Sequence, residues 1–161
     1  MADGKSDIDS GFQISLIDIT YKKMLPQPRE GFGGTFFSFD LTTEAAAQKD
    51  LSLVLIFVKV NIRDENKEQV LASFVVSCGF KVEKFNELVT FDEKNKISII
   101  NEKFIAFVKA PAISTIRGVV YCELRGTYLH SAIMPIIDPS KMKSFTDKKV
   151  IFDSSGFIDN S

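Results

Sequence analysis

The sequence predicts an α+β fold: a four-stranded antiparallel sheet with a long helix from the C-terminal half packed on one face. Three observations predict it. Runs of alternating apolar residues fill the first half, from Phe12 to Lys84. From Lys96 the apolar spacing changes to three and four, the period of a helix. The chain has 161 residues, 45% of them apolar, enough for one core and too few for two comfortable ones. Residues 1–10 are polar and expected to be disordered, residues 11–145 form the single domain, and residues 146–161 form a tail that can be flexible.

The first strand is expected over Phe12–Leu25. Its apolar residues Phe12, Ile14 and Leu16 shift phase to Ile17, Ile19 and Tyr21, which asks for a bulge or crossover near Leu16–Ile17. Pro26 and Pro28 end it, and Gly31, Gly33 and Gly34 make the next loop. The second strand is expected over Thr35–Thr42, with Thr35, Phe37, Phe39 and Leu41 on one face. Thr43–Asp50 reads as a single helical turn or a loop, too short for a helix of its own. The third strand, Leu51–Arg63, carries Val54, Ile56, Val58, Val60 and Ile62 on one face and Leu53, Leu55 and Phe57 on the other. The polar turn Asp64–Lys67 makes a hairpin with the fourth strand, Val70–Lys84. There Val70, Ala72, Phe74, Val76, Cys78, Phe80 and Val82 alternate, and Gly79 marks a bulge. Four such strands joined by short turns make a meander.

Beyond Lys96, Ile97, Ile100, Phe104 and Phe107 recur at helical spacing. Pro111 predicts a break, so a short helix precedes a longer one ending near Arg125. Ile113, Ile116, Val120 and Leu124 form the apolar stripe of the second helix, and Gly126 is its stop. Tyr128–Ile137, with Pro135 inside it and Pro139 after, is expected to be extended or looped, and a short helix can follow at Pro139–Phe145.

Composition excludes several functions. Twenty Lys and Arg against 21 Asp and Glu give a net charge of −1, without the basic surplus that a phosphate backbone needs, so no nucleic acid is expected as partner. One His and two separated Cys leave little for a metal centre or a catalytic one. Cys78 and Cys122 are 44 residues apart and read as buried free thiols, with one disulfide as the alternative. His130, Glu123 and Ser114 or Ser131 lack any elbow motif, and no catalytic residue is assigned. Gly31–Gly34 opens a strand, not a helix, and is read as a hairpin loop, not a phosphate cradle. No cofactor is expected. The N-terminus has no apolar secretory region, and the longest apolar run, Leu53–Val58, is six residues against about 20 for a span. The protein is therefore read as cytoplasmic, with no membrane insertion.

The unusual count is 15 Phe with no Trp. One helix layer needs one apolar sheet face, yet Leu53, Leu55 and Phe57 make the third strand apolar on its second face too. That surplus needs a cover: another copy, or a partner that brings apolar segments.

The segment from Ala112 to Pro139 resembles the SecB export chaperone family. The matching parts are a helix bearing Arg117, the turn Arg125-Gly126-Thr127-Tyr128, and an apolar stretch reaching Pro135 before Asp138. The order of elements from Phe12-Gln13-Ile14 onward also fits. The resemblance implies a SecB-like chaperone: an ATP-independent holding protein for unfolded polypeptides, not an enzyme, assembled as a dimer or homotetramer and active in protein export. It implies apolar grooves for clients, to which Phe37, Phe39, Leu53, Leu55, Phe57 and the tail residue Phe145 are assigned. It implies an oligomer interface, to which Ile113, Ile116, Arg117, Val120 and Leu124 are assigned. The export members' acidic docking surface for the translocation motor is replaced here by Tyr21-Lys22-Lys23 and Ala72-Ser73-Phe74-Val75. Holding is therefore expected over export, with transport through the motor a weaker expectation. The alternative is a scaffold for one dedicated partner, such as the antitoxin of a toxin–antitoxin pair.

Overall fold

The computed structural model describes residues 11–27, 36–64, 66 and 68–141. Four strands, β1 (Phe12–Met24), β2 (Ser38–Gln48), β3 (Leu53–Arg63) and β4 (Val70–Val82), form one antiparallel sheet in the order β1-β4-β3-β2. A one-turn helix, α1 (Phe85–Leu88), leads to a second, two-stranded sheet of β5 (Val89–Asp92) and β6 (Ile97–Ile100). Helix α2 (Glu102–Leu124) follows, and a single 3-10 turn lies at Pro139–Lys141.

The expected α+β class holds, but the sheet is not a simple meander. β2, β3 and β4 follow one another, while β1 returns to lie beside β4. This is a Greek key, and the connection after β1 must carry the chain from one edge of the sheet to the other. Local alternation does not report such long-range pairing, because every strand satisfies it in either arrangement.

β1 is bulged as expected, but just before Leu16 and not at Leu16–Ile17, so Leu16 faces away from Phe12, Ile14, Ile17 and Ile19. The register skips between Ile14 and Leu16 and again between Ile19 and Tyr21, so Ser15 and Thr20 are extra residues opposite a continuous β4. The first bulge lies opposite Gly79, on β1 and not on β4. A Cβ at Gly79 would come within 2.9 Å of Leu16 Cβ and 3.1 Å of Leu55 Cδ2. Only glycine lets those leucines close over that point.

Three expected elements are corrected. Thr43–Gln48 is neither helical turn nor loop. It continues β2, pairing Ala45 with Ile56 and Ala47 with Val54. Ladder bonds to a central strand outweigh the helical preference of three alanines. Ile97–Ile100 is strand β6, turned back on β5 across Asp92–Lys96, where Asp92 Oδ1 accepts the backbone N–H groups of Lys94 and Asn95. Finally, α2 is one helix, not two. Asn101 caps it, its Oδ1 accepting N–H of Lys103 (3.0 Å) and Phe104 (3.2 Å). Pro111 sits inside it, and the Thr115 hydroxyl donates to the Pro111 carbonyl at 2.9 Å. The proline removes one bond of the ladder, but the stripe Phe104, Val108, Ala112, Ile113, Ile116, Val120 and Leu124 stays buried through it. Packing of seven side chains outweighs one lost hydrogen bond. Gly126 ends the helix as expected, with φ at +76°, just beyond the cap residue Arg125.

The core lies between α2 and one sheet face. Val54, Ile56, Val58, Val60 and Ile62 of β3 and Ala72, Phe74, Val76, Cys78, Phe80 and Val82 of β4 are buried there. Leu129, Ala132 and Met134, in the irregular stretch after the helix, join them. Helix α2 has the length and composition of a membrane span, but its apolar stripe is packed on the sheet, the pattern of a core helix.

Candidate functional site

Strand register decides which side chains share the sheet's outer face, the face turned away from α2. Residues paired across the ladders point the same way. Leu16 is opposite Gly79, Gly79 opposite Leu55, and Leu55 opposite Ala46. One apolar row therefore crosses all four strands. Phe57 in the next row lies between Ser77 and Glu44, and Leu53 on the other side lies between Lys81 and Gln48. Leu53 and Phe57 are buried, Leu55 is half-buried, and Leu16 is 41% exposed. Further along, the same face turns polar: Lys59, Asn61, Ser73, Lys23 and Asp40. Asp40 pairs with Arg63, and the Ser73 hydroxyl donates to Asn61 Oδ1 at 2.7 Å.

This arrangement separates residues that the sequence groups together. Leu53, Leu55 and Phe57 share the outer face as expected. Phe39 does not: it pairs with Ile62, on the helix side, and both Phe37 and Phe39 pack half-buried against the core. Phe37 precedes the strand. Phe145 lies outside the described residues. The residues assigned to an oligomer interface are also placed differently. Ile113, Ile116, Val120 and Leu124 are buried against the sheet, so their surface is spent within the protomer, and Arg117 is half-buried beside them. They form the core stripe because an amphipathic helix turns its widest apolar face to its own sheet.

Two contributors to the outer row were missed. Leu16 and Gly79 meet only through the bulge in β1; the phase shift was the one signal of it.

The polar groups weighed for catalysis do not converge. Glu123 pairs with Lys22 of β1. His130 Nδ1 lies 3.0 Å from the Thr127 carbonyl in its own turn. Among the described residues, no three His, Cys, Asp or Glu side chains cluster as metal ligands would. Cys78 is buried and Cys122 exposed, both as free thiols, so the alternative disulfide is not formed, and burial holds for only one of them. Burial pushes the Cys78 thiol up to about 11, which keeps it protonated and unreactive.

By structure, the chain is similar to the Mycobacterium tuberculosis Rv1957 SecB-like chaperone, solved in complex with a ChAD peptide from the Rv1956 HigA1 antitoxin. The likeness covers 79% of this chain and 88% of that one, with a TM-score of 0.51 and 14% sequence identity. The fold is SecB-like. No protein-family model matches the sequence. No curated protein matches it either. At 14% identity the similarity belongs to the backbone path alone. Within the SecB-like fold, the turn Arg125–Tyr128 and the stretch to Pro135 follow α2 directly.

Proposed function

We propose that this protein is an ATP-independent holding chaperone that binds non-native polypeptide segments on the outer face of its sheet, along the row of Leu16 and Leu55 and the adjoining Phe57. The observation that carries the reading is an apolar row on the sheet face away from the helix, on a SecB-like fold. Leu53, Leu55 and Phe57 stay in the proposed site. Phe37 and Phe39 pack toward the core and are not part of the outer row, and Leu16 enters it. An apolar surface without a convergent polar constellation suits sequence-tolerant binding of extended chains, where burial supplies the affinity. The reading includes a cytoplasmic location, no cofactor and no chemical step.

Two substitutions test the site. In Leu16→Asp and Leu55→Asp variants, a charge in the row should weaken suppression of aggregation of a destabilised client at least tenfold, without nucleotide in either assay. Normal aggregation of the client in the presence of the unmodified protein would sink the reading.

One observation favours a narrower role. The SecB-like chaperone similar to this chain was solved with an antitoxin peptide. A dedicated antitoxin partner is therefore the second reading. Competition separates the two: unrelated unfolded chains displace a general client and leave a dedicated one bound.

A further inference from the structure

The outer face of the sheet is more sheltered than the described elements account for. Ala46, Leu53 and Phe57 point outward, yet they are 3%, 7% and 7% exposed. None of them belongs to the core cluster. That cluster takes in α1 and the β5–β6 hairpin through Phe85, Val89 and Ile100, together with α2 and the stretch after it. The turn at Pro139–Lys141 also packs beside α2. The described elements outside the sheet thus lie with the core on the helix side. Glu44, in the row of Phe57, has its Oε2 shut off from solvent as well. On an open sheet face a carboxylate oxygen reaches water, and so does one side of a phenylalanine ring.

Three stretches of the chain lie outside the described residues and compete for this face. Residues 1–10 bring only Met1 and Ile8 as large apolar side chains. Residues 28–35 run from the end of β1 to the start of β2 and are spent on crossing about 14 Å between the two edge strands. They do so at the polar end of the face, near Asn61, and Leu53 lies about 26 Å further along β3. Residues 142–161 remain. They carry Phe145, Phe152 and Phe157, with Val150 and Ile151 beside Phe152. They start beside α2 and reach about 66 Å at most, against about 10 Å between packed layers and about 14 Å across the sheet. Their charges match the face. Lys148 and Lys149 precede Val150–Phe152, and Asp153 follows it. The row of Phe57 holds Asp18 and Glu44, with Lys59 to one side and Lys81 to the other.

We propose that the outer face is the seat of the chain's own C-terminal segment, residues 142–161, which sets its phenylalanines over Leu53, Leu55 and Phe57. The segment is a tethered ligand. A short tether holds it at an effective concentration on the order of 1 mM, so even weak apolar contacts keep the face occupied. A client then binds by displacing the segment, and only chains that bury more apolar surface than it does are held. Seating of the segment stands by itself; its competition with clients rests on the holding reading.

The test is fluorescence anisotropy of a labelled peptide of residues 142–161 added to full-length protein, with no client present. The wild type should bind it weakly, because the tethered copy is already seated. A full-length variant with Phe145→Ser, Phe152→Ser and Phe157→Ser should bind it at least tenfold more tightly. Adding Leu16→Asp to that variant should remove the binding with native circular dichroism kept, since Leu16 is 41% exposed and tolerates the change. Equal affinity for wild type and triple variant overturns the inference, and so does binding that survives Leu16→Asp. A wild-type affinity that rises to that of the variant on dilution would make the cover the segment of a second copy, and overturns its assignment to the same chain. In the aggregation assay the triple variant should protect a client at severalfold lower concentration than the wild type. Tighter peptide binding by the variant supports the seat even where no client is held, so the two readings fail separately.

Discussion

At the scale of single residues, the two cysteines and Gly79 make the sharpest predictions. The Cys78 thiol, raised to about 11 by burial, has roughly one part in a thousand as thiolate at pH 8. Cys122 is exposed. A native sample at pH 8 should therefore take up one equivalent of iodoacetamide, at Cys122, and a second only in denaturant. Rapid native labelling at Cys78 would contradict its placement. The shift also has a sign for stability. Between pH 9 and 11 the unfolded thiol loses its proton before the folded one, so stability falls as pH rises through that window. In a Cys78→Ala variant that part of the decline should be absent. At Gly79, a Val substitution forces Leu16 and its bulge to move, and should cost about 1–3 kcal/mol in urea denaturation. A neutral result would mean that the close approach of Leu16 to Gly79 is not kept in solution.

At the scale of elements, α2 carries opposing effects. Asn101→Ala removes the acceptor for two N–H groups and should cost about 1 kcal/mol. Pro111→Ala restores a helical donor and should raise the urea midpoint. A lower midpoint would mean that the ring's packing matters more than its missing hydrogen. These elements also show where sequence is legible. The alternation of β3 and β4 maps onto buried residues from Val54 to Ile62 and from Ala72 to Val82, because both are central strands whose helix-side face must be apolar; Val70, beyond the register shift at Arg63, is only half-buried. Gly126 was readable because its positive φ has a residue preference of its own. The alanines of β2 and the isoleucines of β6 were not: alanine favours a helix, Ile97 and Ile100 fall at helical spacing with Phe104 and Phe107 although isoleucine itself favours a strand, and their partners in β3 and β5 lie elsewhere in the chain. Pro111 was overread because a proline's local cost does not report how much burial it interrupts.

At the scale of the whole molecule, the strand order predicts a gradient of local stability. β3 and β4 are central, with buried helix-side faces, whereas β1 and β2 form the edges. Native-state hydrogen exchange should find the slowest amides in β3 and β4 and faster ones in β1, whose side chains are mostly exposed. Equal protection in β1 and β4 would be inconsistent with this sheet. Half of the candidate site was legible at this scale. The surplus apolar face of β3 identified Leu53, Leu55 and Phe57. Membership of the row on the neighbouring strands depended on register, through a bulge that only the phase shift of β1 signalled and a Greek-key return that no local pattern encodes. Phe37 and Phe39 lie toward the core and not on the outer face for a related reason: alternation groups residues into faces, but only pairing says which face is which.

The return of β1 beside β4 has a consequence during synthesis. Phe12 pairs with Val82 and Met24 with Ala72, so β1 leaves the ribosome about 50–70 residues ahead of its partner strand β4. Through that interval Phe12, Ile14, Leu16, Ile17 and Ile19 form an unsatisfied apolar segment of the kind that the finished protein is proposed to hold. A newly made chain is thus a fitting first client for copies already folded, and its rate of maturation should rise with their concentration.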